Sequence, residues 1–327
     1  VDDYCRGMGI FWTGAIDHGC TAWMGQMMYQ YYRYSGDREF LREIAYPFLQ
    51  GAFNVFYAML VKKNGQFSLP LSVSPEYRGC EMNAWGANAS FQLACIHYLC
   101  DALIESGSIL DEQMDERWLD VQKNLPKASI GLSPENETKE PEICLWDGLP
   151  LEESHRHHSH LAGMVPFDIF DHRDSHWSKV INSSLYTWVK KGMGLWSGWC
   201  MPWASMIYSR LGNGDAAELI LDIWKRVYTN EGHGTLHDPN FKGLSVISAG
   251  SVIREDGTGE IMQIEAGEAA AAAVMEMMVV TVRGVNELFA GCPGRWKTVS
   301  FESVKTEGGF LISSSRKNAQ VEFVRLE

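Results

Sequence analysis

Along this 327-residue chain the apolar positions recur at helical spacing for most of its length, and alternate only near the end. Over 17–33, Trp23, Met24, Met27, Met28 and Tyr31 fall at three- and four-residue steps, which predicts a helix with one apolar stripe. Ser35-Gly36-Asp37 interrupts it. Asp37 offers a capping oxygen to a second helix through Phe40, Leu41 and Ile44, kinked at Pro47 and continuing to Leu60. Two helices and a tight turn make an antiparallel hairpin. Lys62-Lys63-Asn64-Gly65-Gln66 reads as a turn, and 67–73 as a short extended segment. Asn83 is expected to cap a helix to about Glu105 that Gly107 ends, and Asp111 to open another to about Asn124, giving a second hairpin. Further helices are expected at about 174–191, 198–211 and 213–229, with Asn213-Gly214-Asp215 turning between the last two, and an Ala-rich helix over 261–282. After Gly284 the period becomes two, predicting strands at 300–304, 309–313 and 319–324.

Two stretches, 128–154 and 230–260, lack periodicity and carry glycines with prolines or histidines. Loops of that length without regular structure are usually functional. Strand and helix never alternate, so a βαβ fold is excluded. Helical hairpins followed by a β appendage predict a mainly α protein, an (α/α) toroid of the six-hairpin kind. Eight or nine helices are too few to complete it. The expected division is an N-terminally incomplete toroid over 1–283 and a strand segment over 284–327.

Composition narrows the partners. A hydrophobic content of 46% with 12 Trp excludes disorder and favours a thick core with an aromatic-lined cleft. The formal charge of −13 opposes nucleic acid, whose phosphates need basic surface, and suits a neutral ligand such as a sugar. No apolar run approaches the ~20 residues of a membrane span, so no membrane partner is expected. The eight cysteines form no Cys-x-x-Cys pair and read as free thiols. The chain opens at Val1 with neither initiator Met nor signal peptide, so the start of the protein is expected to lie upstream. Oligomeric state and compartment leave no sequence signal.

The densest chemistry is His155-Arg156-His157-His158-Ser159-His160, followed by the apolar Leu161-Ala162-Gly163-Met164-Val165-Pro166. It reads as a polar loop leading into a buried helix that ends near Phe170. The spacing is not that of a zinc site, so no metal is expected, and His155, Arg156, His157 and His160 are better placed as donors to a polyhydroxylated ligand. Acid–base catalysis needs a proton donor and a proton acceptor. Of the loop carboxylates, Glu135, Glu152, Glu153, Asp238, Glu255, Asp256, Glu260 and Glu268 read as solvated, whereas two stand out by setting. Glu76 follows Pro75 at the end of an apolar run, a setting that favours a protonated acid. Glu265 opens the most apolar helix, where the helix dipole keeps a carboxylate ionised as a base requires.

The histidine tract resembles the His-Arg-His-x-Ser-His-Leu-x-Gly-x-x-Pro motif of the glycoside hydrolase family 95 catalytic domain, the inverting α-L-fucosidases and α-L-galactosidases. Ser74-Pro75-Glu76 resembles that family's Ser-Pro-Glu-Asn, and Tyr34-Ser35-Gly36-Asp37 with Tyr46-Pro47 its preceding hairpin. Gly198-Trp199 through Ser209-Arg210-Leu211 to Asp215, and Gln263-Ile264-Glu265 with Glu276-Met277, resemble two later segments in the same order. The resemblance implies a carbohydrate substrate, no cofactor, Glu76 as general acid, and a periplasmic or extracellular setting. It places Glu265 where the family has Asp, and Ala266-Gly267-Glu268 where it has Gly-Asn-Phe. By the same resemblance, the family's two water-holding asparagines are expected from a segment upstream of Val1. The tract then lines the sugar subsite, with Trp146, Trp199 and Trp203, alongside Trp12 and Trp196, as stacking surfaces. Two alternatives stay open: a toroid polysaccharide lyase using Arg156 and His157, and a sugar-binding protein without turnover.

Overall fold

The computed structural model describes residues 12–239 and 261–327. These fall into two compact units, 1–152 with 159–190, and 153–158 with 191–327. Cys5, Glu255, Asp256, Glu260 and most of the expected 230–260 loop lie outside the described residues.

In the first unit, helix α1 (Gly19–Ser35) ends at Gly36, whose φ of 72° suits a residue without Cβ. The Asp37 carboxylate accepts the Phe40 N–H at 2.9 Å and starts the next helix as expected. One π turn, Leu41–Ala45, precedes helix α2, Tyr46–Met59. Pro47 has no N–H for the Glu43 carbonyl, and the wider turn before it absorbs that missing bond. Gly25 lets α1 approach α2: a Cβ there would sit 3.1 Å from Leu49. Strands β1 (Val61–Lys63) and β2 (Gln66–Ser68) close on Asn64-Gly65, both at positive φ, a hairpin turn that matches strand twist.

Helix α3, Ser90–Leu110, is the centre of this unit and packs on α1, α2 and helix α4, Glu116–Asn124. Among the described residues it is the one helix long and apolar enough to cross a membrane, which the sequence reading did not anticipate, and 67% of its apolar window is buried inside the fold. Leu93, Ile96, Leu99 and Leu103 are fully buried on it, each contributing about 1.5–3 kcal/mol. It begins at Ser90 rather than Asn83, because residues 83–89 are committed elsewhere. Ser72 and Gly86 exchange backbone bonds of 2.9 and 3.0 Å, and Asn88 accepts the Leu69 N–H at 2.7 Å. It runs past Gly107 to Asp111, which closes it in the left-handed region at φ 58°. The cap of α4 is therefore Asp115, accepting from Arg117 N–H at 2.9 Å.

The loop from 128 stays mostly irregular, with one short pairing of β3 (Ile130–Gly131) and β4 (Glu142–Ile143). Its Glu142 is 1% exposed and accepts from the Asn136 amide at 2.5 Å and from the Thr187 hydroxyl on helix α5, Ser175–Lys191. The helix expected after the histidines is reduced to a single 3₁₀ turn, Ser159–Leu161. The Ile169 and Phe170 N–H groups fold back onto the Gly163 carbonyl at 2.6 and 3.0 Å. The Phe170 ring fills the space of a Gly163 Cβ, so the chain doubles back instead of continuing helically.

In the second unit, helices α6 (Cys200–Arg210) and α7 (Gly214–Val227) form the expected hairpin, with Asn213 capping α7 through Ala216 N–H at 3.2 Å. Helix α8, Ile264–Met278, packs on α6. It stops short of the expected 282, because the Val-rich Val279–Val282 (β5) pairs with Val285–Leu288 (β6) across Arg283-Gly284. Strands β7 (Thr298–Lys305), β8 (Leu311–Lys317) and β9 (Gln320–Leu326) form an antiparallel sheet in the order β7-β8-β9. Its small core joins Val299, Phe301 and Ile312 to Val279 and Phe289. The molecule is thus helix-rich with small C-terminal sheets.

Candidate active site

The segment carrying Glu76 is short, irregular and tied at many points within the first unit. The Val73 N–H donates to the Gln92 side-chain oxygen at 3.3 Å, and the Ser74 and Ser159 hydroxyls bond at 2.6 Å. The Tyr77 N–H returns to the Ser74 carbonyl at 2.8 Å, and Gly79 N–H to the Glu76 carbonyl at 2.9 Å, so Glu76 sits inside consecutive turns. Thr13 Oγ1 donates to the Gly79 carbonyl at 3.1 Å and Trp12 Nε1 to the Cys80 carbonyl at 2.8 Å. Glu152, read from the sequence as solvated, pairs with Arg78 at 2.8 Å and lies 3.4 Å from the Tyr77 hydroxyl. Glu76 itself is half-buried and lines a cavity of about 20 Å³ with Thr13, Asp17, Val73 and Ala84. That is room for about one water molecule.

Trp146 is in the same unit but mostly covered, at 5% exposure. Its ring packs edge-on against Tyr77 at 6.0 Å, with the Arg78 guanidinium 5.8 Å from its centre. Gly86 is required beside it, since a Cβ there would come 2.0 Å from the indole. Its surroundings make it a support of the Glu76 segment. His160 is buried in this unit too.

The rest of the histidine tract belongs to the second unit and divides between two environments. His155 and His157 lie ring to ring at 5.3 Å, and His157 meets Trp199 edge-on at 5.5 Å. Trp199 in turn lies 4.8 Å from Trp203, which is buried. His158, absent from the expected donors, is fully buried between Trp196 at 4.6 Å and Trp203 at 5.3 Å, its Nε2 bonded to the Cys200 carbonyl at 2.9 Å. No periodicity in so short a loop separates it from its neighbours. Arg156 is half-buried; its carbonyl accepts from the Cys200 thiol, and loss of solvation pulls its guanidinium below the ordinary arginine range. Burial likewise pushes the Cys200 thiol up to about 12.

Glu265 is exposed in the first turn of α8. The residue before that helix, Gln263, is the buried one, and its side-chain oxygen accepts the Trp199 N–H at 2.9 Å. Gly198 meets the same strand-like segment so closely that a Cβ would lie 1.9 Å from the Leu236 carbonyl oxygen. His237, whose carbonyl accepts the Gly198 N–H at 3.0 Å, is hydrogen-bonded through Nδ1 to the Asp238 carboxylate at 2.8 Å. The Gly-Trp and Gln-Ile-Glu segments, 64 residues apart, are therefore one structural element. The second half of the Ser209-Arg210 motif is different. Arg210 holds Glu276 by two bonds of 3.0 and 2.7 Å, which joins α6 to α8. Among the described residues no three His, Cys, Asp or Glu side chains are grouped so as to hold a metal ion.

Glu76 and Glu265 thus stand on separate supports, and His155, His157 and Trp199 cluster within the second unit. Residues 8–278 match the glycosyl hydrolase family 95 catalytic domain, and the chain belongs to that family. It is 25% identical over 305 residues to alpha-L-fucosidase 2 of Arabidopsis thaliana, covering 89% of this chain and 34% of that relative. The chain thus spans about a third of the length of the curated relative it matches.

Proposed function

We propose that the protein is an exo-acting, inverting glycosidase that removes terminal α-L-fucose or α-L-galactose from oligo- or polysaccharides. The observation that carries this reading is the family match across 8–278, which takes in both carboxylate segments. Glu76, protonated, gives its proton to the leaving glycosidic oxygen as the bond to C1 breaks. Glu265, directly or through a partner, takes a proton from the water that attacks C1 from the opposite face, and the sugar leaves with inverted configuration. His155, Arg156, His157 and His160 donate hydrogen bonds to the hydroxyls of the bound sugar, and Trp146, Trp199 and Trp203 are its stacking surfaces, Trp199 being the least covered of the three. The reaction requires no cofactor and no metal.

The same reading takes the helical hairpins as part of a six-hairpin toroid over 1–283, with 284–327 as the appended strand segment, in a protein working in the periplasm or outside the cell. It requires the Glu76 and Glu265 carboxyls to lie about 6.5–9.5 Å apart across the sugar.

The experiment is hydrolysis of a panel of aryl α-L-fucosides, α-L-galactosides and related glycosides by the wild type and Glu76→Gln, with the first-formed anomer followed by NMR. Turnover with inversion, lost in Glu76→Gln on substrates with poor leaving groups, is the expected result. An unsaturated, ultraviolet-absorbing product would instead identify a lyase, and binding without turnover a sugar-binding protein.

A further inference from the structure

The chemistry assigned to Glu76 depends on where its segment is held, and one of its supports is unlike the others. Gln92 lies on α3, fully buried, 16 residues beyond Glu76 in the chain. Its side-chain oxygen accepts the Val73 N–H at 3.3 Å, three residues before Glu76. Its amide nitrogen donates to Asp17 Oδ1 at 3.1 Å, and the same oxygen accepts the Gly19 N–H at 2.8 Å. Asp17 also lines the small cavity that Glu76 lines. The chain of bonds therefore leaves the start of α1 at Gly19, passes through Asp17 and Gln92, and ends on the backbone that leads into Pro75-Glu76.

The chemistry of the two ends fixes Gln92 in one orientation. Asp17 Oδ1, carrying two donors, can only accept, and the Val73 N–H can only donate, so the side chain between them must present one donor and one acceptor. An amide does this. A carboxylate at 92 would set two acceptors against each other, and an apolar side chain would leave the Val73 N–H without a partner in a buried site.

We infer that Gln92 and Asp17 are positioning residues for the general acid: their hydrogen-bond relay holds the Val73–Glu76 segment so that the Glu76 proton reaches the leaving oxygen. The inference rests on the assignment of Glu76 as that acid. A displacement of the segment by about 1 Å lowers proton transfer by roughly 10²-fold, and affects only substrates whose leaving group needs the proton.

The test is a series of aryl α-L-fucosides of graded leaving-group basicity, with kcat and KM measured for the full-length wild type, Gln92→Met, Asp17→Ala, Asp17→Asn and Glu76→Gln. In the wild type log kcat is expected to depend weakly on leaving-group basicity. Gln92→Met and Asp17→Ala are expected to steepen that dependence, with kcat falling roughly 10²-fold for phenol and little for dinitrophenol at nearly constant KM. Asp17→Asn keeps an acceptor oxygen for Gln92 and Gly19 and is expected to restore the shallow dependence. Should Gln92→Met fail to fold, the half-buried Asp17 pair carries the same comparison. A uniform loss across all leaving groups would reduce Gln92 to a structural residue and overturn the relay, as would Asp17→Asn behaving like Asp17→Ala. Glu76→Gln separates the two layers. If it is steep while Gln92→Met is shallow, only the relay fails; if Glu76→Gln is itself shallow, the acid has been misassigned.

Discussion

The side chain of Gln263 accepts the backbone N–H of Trp199 at 2.9 Å, so a buried amide at the start of α8 sets the turn that presents Trp199 beside His157. Gln263 is further locked by its own N–H on the Thr235 carbonyl at 2.8 Å and by Thr235 Oγ1 on its carbonyl at 2.6 Å. Gln263→Leu removes the acceptor for Trp199, and a lost bond of about 1 kcal/mol predicts a five- to tenfold drop in kcat/KM for the preferred glycoside. Gln263→Glu keeps an acceptor oxygen there and should retain most of the activity. Steady-state kinetics on the two variants distinguishes these outcomes.

Gly198 allows the same turn to lie against the Leu236 carbonyl. Gly198→Ala forces the backbone apart and is expected to cost about 1–3 kcal/mol of stability, together with activity, because Trp199 moves with it. Urea denaturation and turnover measured on one preparation would show both effects. Unchanged values for both would mean that the approach is not tight in solution.

Arg210 and Glu276 hold α6 against α8 with little solvent on either side. Removing one partner leaves a charge that is mostly desolvated, so Arg210→Met and Glu276→Gln should each destabilise the second unit by about 2–4 kcal/mol. The double variant should be less unstable than the sum of the two, since it leaves no stranded charge. Thermal denaturation of all three variants completes the cycle. Substrate KM is expected to stay unchanged in whatever fraction remains folded.

His97, buried on α3 with Nε2 at 3.2 Å from both the Leu125 and Pro126 carbonyls, is held below the ordinary histidine range mainly by burial. In the unfolded chain it protonates at about 6.5, whereas in the folded protein it resists. Its contribution to stability is therefore complete above about pH 6.5 and is lost as the pH falls from there to the depressed folded value. Urea midpoints at about pH 7.5 and 5.5 should differ more for the wild type than for His97→Gln, in which the titrating ring is gone.

Of the described cysteines, Cys20 and Cys80 are exposed and the other five buried. Burial raises the Cys144 thiol to about 12 and the Cys292 thiol to about 11. In a Cys5→Ser background, a thiol reagent at neutral pH is expected to modify two sulfurs of the native protein, and the rest only after denaturant. Cys20 should be the slower at neutral pH, because partial burial and the neighbouring Asp17 both disfavour its thiolate.

The helical hairpins were legible because their apolar stripes and their Asp37 and Asn213 caps are local signals. The start of α3 was not, because Ser72, Gly86 and Asn88 are paired with residues up to 19 positions away, and that pairing overrides the capping tendency of Asn83. Nor was the doubling back after Leu161, which depends on the Phe170 ring finding Gly163. Motif order, through the family resemblance, was what singled out both segments of the candidate site. It did not distinguish Gln263, whose side chain joins two of those segments, from Arg210 and Glu276, which pair with each other between α6 and α8. Gln92 carried no local signal, since its role appears only when Asp17 and Val73 are brought to its two ends.

Glu142, sealed behind Asn136 and Thr187, fixes which changes the 128–154 region can accept over evolutionary time. Leu132, 68% exposed, can change identity at little cost. Asn136, Glu142 and Thr187 can change only together, as a unit that exchanges one complete set of donors and acceptors for another. Variation among relatives in this region should therefore be concentrated before Asn136, and the chain after Glu142, which delivers Trp146 to its place beside Tyr77, should keep its length.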